Sequence, residues 1–236
     1  MVGGAAIAGS VLAAVGLGFW WDFNAWKSTG TGGTPPTLQG YLKIRRWGLW
    51  LTFNGPDLLS TSDLSASGPS YLLSPLPPRR GPRPPVTRWT LPQRQLHRTP
   101  LPPSATDHLL TLCTTLASSP TWSPYIRTAP SVTEGGTGPA LYVKPDVEGR
   151  NPVAQKIFYE IAHVHPSENS LHVYVSEADA RMVVESGWGM RFPVQWLAPK
   201  GWVMVWAPRD EGELEVVEGI VRAGVCFAVG RDVEKE

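Results

Sequence analysis

With 236 residues, 42% of them hydrophobic, and a formal net charge of +1, the chain is long enough for one globular domain with extensions and too short for two full ones. Residues 23–145 hold twelve Lys/Arg against four Asp/Glu, and residues 146–236 hold nine against fifteen. The basic part lacks the interleaved aromatics of a nucleic-acid binder, so nucleic acid is excluded as a partner and a membrane surface is favoured.

Taken in chain order, residues 2–21 carry no charge and end in Phe19-Trp20-Trp21. About 20 such residues cross a bilayer as a helix, and the aromatic trio sits where an interfacial belt belongs. The expectation is a transmembrane anchor over residues 1–22. No basic segment precedes the run and no small-residue cleavage site ends it, which argues against a signal peptide. Lys27, Lys43, Arg45 and Arg46 come next, so the positive-inside rule leaves the rest of the chain in the cytosol, with the endoplasmic reticulum as the expected membrane.

Residues 23–40 connect the anchor to a domain over residues 41–236, and the Gly/Pro/Thr stretch from Ser28 to Thr37 reads as a flexible linker. Tyr41 to Leu59 mixes Trp47, Leu49, Trp50, Leu51 and Phe53 with Arg45 and Arg46. It fits a surface-lying membrane contact or a core element equally. Residues 74–103 contain ten prolines, six arginines and no acid, the composition of a solvated extended loop. Within it, Arg88 to Gln95 alternates like a strand. Leu109, Leu110, Leu112 and Leu116 predict a short amphipathic helix from Asp107. Cys113 and Cys226 are far apart and outside any metal spacing, and read as buried thiols rather than a disulfide framework.

The last ninety or so residues carry the clearest pattern. Ala140 to Lys144 is a strand. Asn151 and Pro152 then open a helix whose apolar positions are Val153, Ile157, Ile161 and Val164, closed by Pro166. Leu171 to Val175 is a strand, Ser176 and Asp179 resemble a capping box, and the helix they open stops at Gly187. Trp202 to Trp206 is a strand, and Asp210 caps a final helix through Leu214, Val217, Ile220 and Val221. The resulting fold class is α+β or α/β, a mixed sheet covered by helices.

Three of the five histidines, His163, His165 and His172, fall within ten residues. On the predicted helix Glu160 and His163 share a face, so the carboxylate is placed to orient the imidazole as a base, and His172 projects from the next strand. The same four residues have the spacing of divalent-metal ligands. A third reading makes the histidines structural, held by a helix C-terminus or by ordinary hydrogen bonds.

Four motifs in order, Glu160-Ile-Ala-His163-Val-His165, Leu171-His172, Gly187-Trp188-Gly189-x-Arg191-x-Pro193 and Ala207-Pro208-Arg209-x-Glu211, resemble the C-terminal core of the fungal luciferases. The resemblance runs from about Leu141 to the end, with weaker echoes at Arg83-Pro84 and Gln93-Arg94-Gln95. It implies a membrane-bound oxygenase with no cofactor and no metal, which oxidises 3-hydroxyhispidin or a related pyrone or polyphenol with molecular oxygen. An enolic pyrone reacts with oxygen after deprotonation, and histidine titrates in the right range. The expected catalytic residues are Glu160, His163, His165 and His172. Trp188 is the expected stacking surface for a planar substrate, and Arg191 and Arg94 the expected partners of an enolate or carboxylate. The sequence departs from the family at Phe192, where luciferases tend to carry histidine. A non-catalytic protein that binds small molecules or lipids on the same fold is the competing reading.

Overall fold

The computed structural model describes residues 2–73 and 75–233, with residues 2–6 as backbone alone. Among the described residues, five α-helices and six strands are arranged in the order α1 (Val2–Ser28), α2 (Leu38–Asn54), α3 (Pro103–Ser118), β1 (Ile126–Pro130), β2 (Pro139–Val143), β3 (Glu160–Val164), β4 (Leu171–Tyr174), α4 (Glu177–Glu185), β5 (Gly189–Arg191), β6 (Trp202–Val205) and α5 (Glu211–Val229). The strands form one sheet in the order β1-β2-β3-β4-β6-β5, and every neighbouring pair is antiparallel. The fold is therefore α+β, because no crossover joins parallel strands.

Residues opposite one another in an antiparallel sheet share a face, and two rows divide the sheet's work. One row runs Leu141, Ala162, Val173, Val203. It faces α3, α4 and α5, whose Leu109, Leu112, Val183, Leu214, Val217 and Ile220 complete the main core. Helix α5 comes close because Gly224 has no side chain; a Cβ there would stand 2.7 Å from the Tyr174 carbonyl. The neighbouring row runs His163, His172, Met204, Met190 and looks away from the helices.

That second face is covered by the N-terminal elements. Trp26 of α1, Tyr41 and Ile44 of α2, and Trp89, Leu91 and Val194 form a second core. Asp22 ties it together by accepting hydrogen bonds from Tyr41, Arg45, Arg88 and Trp89. Burial works to raise the Asp22 carboxyl, but these four donors outweigh it and hold the group far below the usual carboxylate range.

Three expectations change. Part of the anchor expected over residues 1–22 lies outside the described side chains, and among the described residues no helix is long and apolar enough to cross a membrane. The uncharged stretch of α1 ends at Trp21. Beyond it α1 continues through Asp22 into packed protein, where Trp26 is fully buried. The segment Arg88 to Gln95 is not a strand; a single bridge joins Val86 to Gln95.

The third change is local to the site. Asn151 caps and Pro152 opens as expected, but the element they begin is a short 3-10 turn, Pro152–Ile157, and not an α-helix. Phe158 and Tyr159 then take left-handed φ of 59° and 61°, which ends the turn and sends Glu160 into the sheet. Ile161 and Val164 are buried as members of a strand covered on both faces, whose apolar run does not distinguish strand from helix.

Candidate functional site

Glu160 and His163 lie three apart on β3, and regular alternation would put them on opposite faces. The pairing of β2 with β3 shifts between Leu141 and Tyr142: Leu141 opposes Ala162, whereas Tyr142 opposes Glu160. Ile161 is thus an extra residue, a β-bulge, and it packs near Gly224 on the helix side. The bulge returns Glu160 to the face of His163 and His165. The pair expected from a helix is formed by an irregular strand.

Glu160 is fully buried and its carboxylate accepts from Ser131 Oγ at 2.9 Å, Thr133 Oγ1 at 2.7 Å, Tyr142 OH at 2.8 Å and His163 Nδ1 at 2.6 Å. Burial pushes this carboxyl up, and the donors, His163 first, bring it below its ordinary value. His165 is held in the same way, its Nδ1 at 3.0 Å from Glu168 Oε1 and 2.9 Å from Ser170 Oγ. The two rings meet through Nε2 atoms 3.1 Å apart. His172 opposes His163 across the strands, stacks on Trp202 with 5.4 Å between centroids and 10° between planes, and meets the edge of Phe192 at 5.6 Å.

Glu134, like Glu168, was not found by reading the sequence. It belongs to the turn between β1 and β2, Ser131-Val-Thr-Glu-Gly-Gly, and its Oε1 lies 3.5 Å from His163 Nε2 and 3.7 Å from His165 Nε2. Arg94 forms an ion pair with its other oxygen. The available signal was one of four acids in a basic half of the chain, followed by two glycines. Gly33 closes over this turn with a φ of +71°, and a Cβ there would lie 2.6 Å from the Thr133 carbonyl.

The charges settle in a pattern set by these contacts. Burial disfavours the His163 imidazolium, but Glu134 and Glu160 outweigh it and push the ring up to about 9. Burial, then Arg94, lowers His165. Burial, and after it the other two histidines, takes His172 well below its ordinary value. Glu134 and Glu168 are both held low, burial being outweighed by the histidines they touch. One oxygen of Glu134 and one nitrogen from each of His163, His165 and His172 all lie within 4.8 Å of one another.

Above the cluster stands a cavity of about 380 Å³, bordered by His163, His172 and Glu134 and walled by Trp47, Leu91, Phe192, Leu197 and Trp202. Lys43, Gln93, Lys156 and residues 32–35 also line it. The structure thus brings together Glu160, His163, His165 and His172 and adds Arg94 through Glu134. It places Trp188 and Arg191 elsewhere. Trp188 is core, its indole donating to the Pro77 carbonyl at 2.7 Å. Arg191 sits on the row of Val203, which faces away from the histidines, and is paired with Asp63 through Nη2 at 2.8 Å.

A family model described as the Luciferase domain matches residues 159–224, a span that includes the three histidines and excludes Glu134. A Luciferase of Armillaria gallica is 31% identical over 165 residues, covering 64% of this chain and 60% of that protein. A Luciferase of Armillaria ostoyae is 28% identical over 219 residues, 87% of this chain and 80% of that one. A Luciferase of Neonothopanus nambi is 30% identical over 100 residues, 37% and 38% of the two chains. No solved structure matches. The motifs read in order along the sequence and the relatives from luminous fungi lead to one assignment: the chain carries a Luciferase domain over residues 159–224 and is similar to the fungal luciferases over much of its length.

Proposed function

We propose that the protein is a luciferase-like oxygenase that joins molecular oxygen to a planar, enolisable substrate of the hydroxy-α-pyrone or polyphenol class, without an organic cofactor. The observation that supports this most directly is the composition of the cavity, aromatic and apolar on its walls and imidazole and carboxylate on its floor. Such a pocket takes a flat aromatic ring between Trp202, Trp47 and Phe192. It directs the ring's hydroxyl to the floor, where neutral His172 accepts its proton and the enolate needed for reaction with oxygen forms beside the positive charge of His163. Glu160 acts here as a positioning residue, fixing the plane of the His163 ring.

Phe192 narrows the reading. Its ring stands against His172 in the cavity, at the position where the luciferases tend to carry histidine. The substrate of this protein accordingly meets an apolar edge there, which favours a ring less substituted with hydroxyls than 3-hydroxyhispidin. Delivery from a membrane surface fits the rim. Trp196 packs edge-on against Trp47 at 5.6 Å and Trp50 at 5.5 Å, and Leu49, Trp50 and Phe53 of α2 are exposed.

The test is oxygen consumption by the purified protein with 3-hydroxyhispidin and with less hydroxylated styryl-pyrones, monitored with an oxygen electrode and by carbon dioxide release. Turnover of at least one of them is expected, reduced roughly 100-fold or more in His172→Ala. A folded protein that consumes no oxygen with any of these compounds overturns the reading.

A further inference from the structure

The floor of the cavity contains an arrangement that oxygen chemistry on an organic substrate does not by itself require. A carboxylate only accepts hydrogen bonds, so His163 Nδ1, at 2.6 Å from Glu160, and His165 Nδ1, at 3.0 Å from Glu168, each carry the hydrogen. Once each ring gives up any second proton, its lone pair is on Nε2. Those two atoms face each other at 3.1 Å, with Glu134 Oε1 3.5 Å from one and 3.7 Å from the other. Three electron-rich atoms converge on one point.

The separations match a common centre. Nitrogen and oxygen ligands at about 2.0–2.2 Å from a tetrahedral ion stand roughly 3.2–3.6 Å apart. The fixed charge asks for the same thing. Glu134, Glu160 and Glu168 bring three negative charges to the cluster and Arg94 one positive charge; a proton on His163 offsets one of the two left over, and a divalent cation in place of that proton offsets both. All three carboxylates lie in the buried interior, where such an excess needs a counter-charge. His172 contributes a nitrogen within 4.8 Å of the other donors. The ring is 2% exposed, and its Nδ1 has no hydrogen-bond partner among the described residues.

We propose that Glu134, His163, His165 and His172 form a mononuclear site for a divalent first-row transition metal, bound by three imidazole nitrogens and one carboxylate oxygen at the floor of the cavity. Imidazole-rich, thiolate-free donors suit iron, cobalt, nickel or zinc over magnesium or calcium. Glu160 and Glu168 then occupy the positions behind the metal-binding histidines that orient each ring. Because His163, His172 and Glu134 border the cavity, the metal stands where a ligand can reach it.

The competing arrangement is a single proton shared between the two Nε2 atoms, and the experiment separates the two. Chelator-treated protein is titrated anaerobically with Co(II), with visible d–d absorption as the signal and stoichiometry measured by elemental analysis after desalting. One equivalent per chain with imidazole-type bands is expected. Glu134→Gln should weaken binding about tenfold or more, while replacement of the exposed His97 and His108 by alanine should leave it unchanged. Absence of stoichiometric uptake by folded wild-type protein, undiminished binding in Glu134→Gln, or loss of the signal in the His97/His108 variant would overturn the site. The proposal goes beyond the oxygenase reading and is tested without substrate, so its failure leaves that reading standing.

Discussion

Removing the Glu160 carboxylate leaves five donors, the side chains of Ser131, Thr133, Tyr142 and His163 and the backbone N–H of Thr133, facing an apolar void. Glu160→Ala should therefore destabilise the protein by about 3 kcal/mol, since breaking one side of a buried charged network leaves the other side unpaired. A urea titration checks this, and a midpoint within error of wild type would show that the network adds nothing to stability. The residue types were legible in the sequence: histidines and glutamates at close spacing, with Phe192 as the departure that turned out to stand in the cavity. Trp188 and Arg191 were misleading because their positions in the strand pattern were not visible. A tryptophan beside a glycine turn has the same sequence context whether it faces a cavity or a core. Glu134 was out of reach because its role depends on a turn some thirty residues before the histidines.

At the scale of elements, the docking of α1 on α2 depends on Asp22. Its folded carboxyl is depressed, so the stability it adds is fully present above the unfolded carboxylate range, about pH 4, and is lost as the pH falls below that. Asp22→Asn should mimic the acid state at neutral pH, weakening this packing by about 2 kcal/mol and increasing proteolytic cleavage in residues 29–37. Equal cleavage rates in the two proteins would dismiss the role. Most helices and three of the strands could be read from capping residues and apolar spacing, because α3, α4 and α5 each bury one face. The short strands β1 and β5 and the bulge in β3 could not, since pairing partners decide them and propensity does not. A relative whose β3 lacks the extra residue would hold the same carboxylate and imidazole at Glu-x-His spacing, so Glu-x-x-His by itself identifies neither helix nor strand.

For the molecule as a whole, apolar side chains exposed on α1 and α2, among them Leu12, Val15, Trp20, Leu49 and Phe53, point to adsorption on a lipid surface. Wild-type protein should sediment with anionic phospholipid vesicles, and Trp50→Ser with Phe53→Ser should reduce the bound fraction several-fold, roughly 1.5–3 kcal/mol being associated with each large apolar side chain removed from water. Unchanged sedimentation would assign that surface to another partner. The N-terminal segment has a second importance that its composition conceals. Gly32, Gly33, Thr34 and Pro35 line the cavity, and Gly33 rests on the turn that carries Glu134. Trimming the first forty residues to obtain a more tractable fragment would therefore remove one wall of the cavity, and loss of turnover in such a fragment would be explained by the opened cavity before any contact with lipid was considered.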